Sequence, residues 1–266
     1  MTKENIQLKT KQDIKKIAEA CGIISSLFRE LKEIIVPGVT GKEVEQYCNK
    51  YIEKKGGRSA LFGFKGFPSA ICFSVNHVAV HGIPKNQDLV KDDIVTIDIT
   101  VEKDGFYGDG AWTYILDKQD PVKRKLIQAA WQSSISGISK CKAKGFLGDI
   151  GSAIEKTAQR FGVHIIQDLV GHGVGFAVHE DPQVPHFGLE GSGRPIVPGM
   201  VLTIEPVVTF GSGKTKTRND NWTVYTADYQ PTAQYEHTIA VQSKGIRVLT
   251  ISEINLQNHI DFPPFF

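Results

Sequence analysis

Residues 94–109, IVTIDITVEKDGFYGD, read as two β-strands joined at Asp104-Gly105. β-Branched residues fill the first run, and Asp-Gly is the residue pair a tight two-residue hairpin turn favours. With that turn, Lys103 pairs with Phe106 and the numbers of paired residues sum to 209. Asp98 then faces Ala111, and Asp109 faces Thr100. The two acids become diagonal neighbours on one face, with backbones about 7–8 Å apart. A three-residue loop would put them on opposite faces. A buried, unpaired carboxylate costs several kcal/mol or gives up its charge. The hairpin therefore predicts something for its aspartates to face.

Around this hairpin the chain repeats a pattern. Ile14, Ile17, Ala18, Cys21, Ile24, Phe28 and Leu31 follow helical spacing from about Asp13 to Leu31, and Pro37-Gly38 stops the run. Thr40-Gly-Lys-Glu43 is a capping box opening a second helix, which Gly56-Gly57 ends. Strands are expected around Ser69 to Val80 and Ile94 to Tyr114. Asp120-Pro121 then starts a new helix, and Gly145-Phe-Leu-Gly148-Asp149 opens another through Phe161. Strands resume near Val163, Val201 and Gln234.

Two matches share one offset. Gly38 and Gly41 recur 107 residues later as Gly145 and Gly148, and Val95-Thr-Ile-Asp98 overlays Leu202-Thr-Ile-Glu205. We read one domain over 1–266, an internal duplication with halves at about 10–117 and 120–250, each giving an acidic strand to a shared centre. The fold class is α+β: two helix-helix-strand halves around a mainly antiparallel, curved sheet.

The second half adds Glu205 in VLTIEPVV and Glu236 in AQYEHTIAV, both in apolar strand-like runs. Four acids converging without a cation repel one another and take up protons. A divalent metal resolves this, and a pair of ions bridged by carboxylates resolves it better. One imidazole is expected among the ligands, and His172 in Gly171-His-Gly-Val-Gly175 sits where backbone can approach closely.

The rest of the chain narrows the class. Its 266 residues are 41% hydrophobic, enough for a substantial core, and the net charge of +2 implies no electrostatic partner, so nucleic-acid binding is not expected. Lys3, Lys9, Lys11, Lys15 and Lys16 read as a solvated face. No run approaches a membrane span, and no signal peptide is visible. Cys21, Cys48, Cys72 and Cys141 form no Cys-x-x-Cys pair, so a reduced, cytoplasmic protein with packing cysteines is expected. His77 and His81 fall in a Val-rich run, where a strand puts them on one face. His186, His237 and His259 read as structural, Glu180 as a surface or supporting acid, and Gly211–Asn221 as a polar flexible connection whose GSGKT is an incomplete phosphate loop.

The segments SVNHVAVHGIP, TIDITVEKDGFYGD, GHGVGFAVHEDPQV, LTIEPVV and QYEHTIAV, in this order and spacing, resemble type I methionine aminopeptidases of the pita-bread metallopeptidase superfamily. The resemblance runs from the first helix to about Val248. It implies five metal ligands at Asp98, Asp109, His172, Glu205 and Glu236, with Asp109 and Glu236 bridging two divalent ions (Co, Mn or Fe). It implies removal of the initiator methionine from nascent chains with a small second residue. In that reading a hydroxide between the ions attacks the first peptide bond, His179 stabilises the oxyanion, Glu205 shuttles the proton, and His81 contacts the substrate backbone. The implied methionine pocket includes Phe64, Phe67, Cys72 and Trp222, with Val178 nearby. Phe64 and Phe67 stand where tyrosines are common in the family, Lys65 where histidine is, and His77 where an acid is frequent. The resemblance also implies a monomer working in the cytoplasm, with the ribosome a candidate partner. The alternatives are a proline-directed relative, usually carrying a longer N-terminal domain, and a metal-free peptide-binding module.

Overall fold

In the computed structural model, which describes residues 5–251, the hairpin of residues 94–115 is the central element. The strands Ile94–Lys103 and Phe106–Ile115 pair antiparallel without a break, from Lys103 opposite Phe106 to Ile94 opposite Ile115. Asp104 and Gly105 both have positive φ, 52° and 81°, the backbone a two-residue hairpin turn requires. Asp98 faces Ala111 and Asp109 faces Thr100, as the turn predicts. The other edge of Ile94–Lys103 pairs with Arg58–Ser59 and Cys72–Val75.

A second antiparallel sheet runs in the order Ile246–Val248, His237–Val241, Val201–Ile204, Gly171–Gly173, Glu180–Val184. It meets the first at Phe106–Ile115. The Glu236 N–H donates to the Ala111 carbonyl at 2.8 Å. Thr238 and Asp109 exchange two further bonds, the Asp109 N–H to Thr238 Oγ1 at 3.2 Å and the Thr238 hydroxyl to the Asp109 carbonyl at 2.7 Å. The two sheets are thus stitched together at the acids themselves.

Four α-helices among the described residues cover this layer. Helix α1 (Lys11–Ile34) buries Ile17, Ile24, Leu27, Phe28 and Leu31, and Phe28 stacks on Trp112 of the hairpin at 4.8 Å between ring centroids. It begins two residues before Asp13 because Thr10 and Asp13 form a capping box that apolar spacing does not reveal. Helix α2 (Gly41–Lys54) starts at the Thr40–Glu43 box. Helix α3 (Pro121–Lys140) is capped by Asp120, whose carboxylate accepts from Val122 and Lys123. Helix α4 (Leu147–Phe161) ends at Gly162 in the left-handed conformation. Buried Trp131 of α3 meets Tyr235 edge-on at 5.3 Å, joining helix layer to sheet.

Several expectations change. The run from Ser69 to Val80 is two strands, Cys72–Val75 and Val78–Val80, because Asn76 takes φ 54°. His81 also takes a positive φ, 56°, so His77 and His81 do not share a strand face. His77 packs against Tyr225 and Tyr229, and His81 against Trp222. Part of Gly211–Asn221 is ordered, with Thr215–Thr217 paired to Val224–Thr226. Lys9 is not on a solvated face: it is 6% exposed. Lys3 and His259 lie outside the described residues. The four cysteines are free and buried. No helix among the described residues is long and apolar enough to cross a membrane.

Candidate metal centre

Five strands or strand ends deliver the predicted ligands to one cleft. Asp98 lies in the middle of Ile94–Lys103, Asp109 in Phe106–Ile115, His172 at the centre of Gly171–Gly173, Glu205 directly after Val201–Ile204, and Glu236 directly before His237–Val241. Ligand-capable atoms of Asp109, His172 and Glu236 lie within 4.8 Å of one another. His172 Nε2 is 3.5 Å from Glu205 Oε1 and 3.8 Å from Asp109 Oδ2. Asp98 lines the same cleft.

The glycines beside His172 are needed, though for a different contact from the one expected. A Cβ at Gly171 would lie 2.4 Å from the Thr203 carbonyl oxygen, and one at Gly173 would lie 2.4 Å from that of Asp181. They let this short strand fit between its two neighbours, which holds His172 in the cleft wall.

Hydrogen bonds aim each ligand. His172 Nδ1–H donates to the Gly173 carbonyl at 2.9 Å, which leaves the Nε2 lone pair facing the acids. Thr203 accepts from the His172 N–H at 2.9 Å and donates to Glu205 Oε1 at 2.7 Å, so one hydroxyl orients two ligands. Gln234 Nε2 reaches Glu205 Oε2 at 3.4 Å, and His186 Nε2 accepts from the Glu205 N–H at 3.2 Å. Asp109 Oδ1 accepts from the Thr100 hydroxyl at 2.8 Å and the Gly110 N–H at 3.0 Å. Glu236 Oε1 is buried with no hydrogen-bond partner. A lone pair on imidazole and several carboxylate oxygens therefore converge with no proton donor between them. That donor set fits a cation, and one of hard or borderline character.

The electrostatics agree. Burial pushes all four carboxyls above their ordinary range, Asp98 to about 6 and Glu205 to about 8. Asp109 and Glu236 are raised well above theirs, by burial first and then by the other acids' charges. Burial lowers His172 to about 3, which keeps its imidazole neutral and able to ligate.

The cleft, about 650 Å³, extends beyond the acids. Leu61, Phe67 and Cys72 form one buried apolar cluster, with Ile83 and Trp222 packed against it. Phe67 meets Trp222 edge-on at 5.2 Å. His81 lies 6.4 Å from Trp222, and His179 lies 4.2 Å from His172 and 5.4 Å from Phe64, all between ring centroids. Val178 is buried beside them. Burial lowers His81, and burial with the Lys65 charge lowers His179 to about 4, so both imidazoles are neutral near pH 7. His77 lines a different cavity with Arg218.

Thr100, Thr203 and Gln234 support the ligands although no role is read for them from sequence, and His186, read as structural, supports the backbone of Glu205. Thr203 and Gln234 each stand two residues before an acid and so share its strand face, a signal the period-two rule offers. Nothing near His186 in sequence marks it, since its partner is the backbone of Glu205.

Comparison with known proteins agrees with this geometry. The model for metallopeptidase family M24 matches residues 15–243. Methionine aminopeptidase 1 of Bacillus subtilis is 40% identical over 242 residues, covering 91% of this chain and 98% of that protein. The crystal structure of methionine aminopeptidase from Thermotoga maritima superposes with a TM-score of 0.91 at 36% identity, covering 93% of this chain and all of that one. The prolidase from Pyrococcus furiosus, 20% identical, shares the fold with a TM-score of 0.73, over 92% of this chain and 66% of that one. The pita-bread fold is thus common to all of them, and the acids meet in a cleft whose donors suit a divalent ion. The match over nearly the whole chain, on top of that donor set, makes it a member of metallopeptidase family M24.

Proposed function

We propose that this chain is a metal-dependent methionyl aminopeptidase, a single catalytic domain of two pseudo-repeated halves that removes the first methionine of nascent polypeptides. The observation that carries the reading is the convergence of ligand-capable atoms from Asp109, His172, Glu205 and Glu236, beside an apolar pocket. Asp109, Glu236, His172, Glu205 and Asp98 would hold the ions between them. Cobalt, manganese and iron are the candidates by donor type. When bound, such ions neutralise the carboxylates, hold the free α-amine of the substrate and make water acidic enough to attack an amide.

The chain's own residues do the rest. Phe67, Cys72, Trp222 and Phe64 form a wall suited to a long, flexible thioether side chain. His179 faces the developing oxyanion. Its neutral ring donates one hydrogen bond there without repelling the ions, because burial and Lys65 keep it unprotonated. Glu205, held by Thr203 and Gln234, stands where a carboxylate would accept a proton from water and return it to the leaving amine. His81 contacts the substrate backbone at the scissile bond. The protein works in the cytoplasm as a monomer in this reading, with the ribosome as a candidate meeting place.

Assay with Mn(II), Co(II) or Fe(II) on Met-Ala-Ser and Met-Lys-Ser tests it. Release of methionine from the first peptide and little from the second is expected. Equal cleavage of both contradicts a narrow second pocket, and inertness with every ion contradicts the enzyme reading.

A further inference from the structure

We infer that Lys9 is a positioning residue for His179, acting through Glu180 as a strap across the loop that carries the histidine. This rests on the reading above, in which His179 touches the substrate. The two side chains are 2% and 4% exposed, and Lys9 Nζ donates to Glu180 Oε2. The other oxygen of that carboxylate, Oε1, accepts from the Phe176 N–H at 2.6 Å and the Ala177 N–H at 3.0 Å. One acid therefore closes the turn that delivers His179 and, with its second oxygen, ties that turn to the start of the chain.

Lys9 is itself fixed. Its N–H donates to the Gly199 carbonyl at 2.7 Å, and its ammonium lies 5.1 Å from the Phe176 ring. The fit is close: a Cβ on Gly175 would lie 2.6 Å from Ile17 Cδ1 and 2.9 Å from Lys9 Cε, and φ there is +137°. The leading end of α1 thus sits directly on the loop. A second stitch joins the Asn5 N–H to Asp181 Oδ2 at 3.0 Å. Removing the lysine charge leaves Glu180 buried and uncompensated. The acid then has reason to turn toward water, releasing the two amides it holds. The His179 imidazole would lose its registration against the cleft, although nothing touching substrate has been altered.

The test is Lys9→Met in the full chain, with Lys9→Met/Glu180→Gln as a second variant that strands no buried charge. The double variant keeps an uncharged carboxamide oxygen that can still accept from both amides and should change their exchange little. In Lys9→Met, exchange at Phe176 and Ala177 should accelerate at least about tenfold while α3 amides keep their protection. Unchanged exchange at those two amides in Lys9→Met overturns the strap. In the metal-loaded enzyme, kcat on Met-Ala-Ser should fall by about ten- to a hundredfold with KM nearly constant. In a His179→Ala background, Lys9→Met should cost nothing further. The same loss in both backgrounds makes Lys9 merely structural and overturns the inference. If His179→Ala alone leaves kcat unchanged, it is the catalytic reading of His179 that fails, and the exchange result still decides the strap.

Discussion

In the first half of the molecule, Asp98 and Asp109 ride on one unbroken hairpin whose register is set by a two-residue turn. In the second half, Val201–Ile204 meets His237–Val241, with Ile204 opposite His237, only after the intervening chain has built other strands. Continuing that register puts Glu205 and Glu236 opposite each other at the strand mouth. The acids also differ in support. Asp109 is held by a hydroxyl and an amide beside it, whereas Glu236 has an oxygen with no partner at all. The comparison teaches that one acid of each half, Asp109 and Glu205, is held by protein hydrogen bonds, while Glu236 depends on what binds between the halves.

The largest effect that would break this contrast is at Glu236. Glu236→Ala removes the acid shared by the closest trio and should lower activity on the order of a thousandfold, since several kcal/mol of charge stabilisation are lost at about 1.4 per decade. Dialysed protein should then retain less metal than Asp98→Asn, because Asp98 stands outside that trio. Equal retention in the two variants, measured by elemental analysis, would erase the asymmetry between the halves.

A smaller effect sharpens it. Thr203 orients both His172 and Glu205, while Thr100 orients Asp109 alone. Thr203→Val should weaken metal affinity by about 10–100-fold, and Thr100→Val by less. Titration with Mn(II) gives both values. A larger loss at Thr100 would mean the first-half hairpin is the less self-sufficient of the two.

The same contrast explains what could be read from residues alone. The hairpin was legible because turn chemistry, alternation and register are all local, and Asp98 opposite Ala111 followed from one turn. The capping boxes at Thr40 and the cap at Asp120 were legible for the same reason. The Thr10–Asp13 box carries the same local signal, but the apolar stripe alone sets the start of α1 too late. The strand face expected to carry both His77 and His81 is lost because two left-handed residues, Asn76 and His81, interrupt a run that otherwise alternates like a strand. Lys9 was misjudged because its environment comes from Glu180 and Gly175, remote in sequence. A lysine among lysines reads as solvated until the partner that buries it is known.

The central claim is that these carboxylates are tolerated in a buried cleft because a cation compensates them. Each has a proton affinity raised by folding, so over the window from the ordinary carboxylate value to about 8 the folded state binds more protons than the unfolded one. Stability of the metal-free protein must then fall as pH rises. Between about pH 7 and about pH 8 the buried histidines, lowered to about 3, oppose this slope as the unfolded chain loses its remaining imidazolium, and the buried cysteines, all raised, add to it. The acids' share is therefore read from the difference between metal-free and metal-loaded protein. Thermal unfolding of metal-free and Mn(II)-loaded protein at those two pH values is the direct measurement. The account predicts a metal-free Tm that drops with pH and a metal-induced gain that grows. A metal-free Tm that holds steady, with the same gain at both pH values, would contradict it.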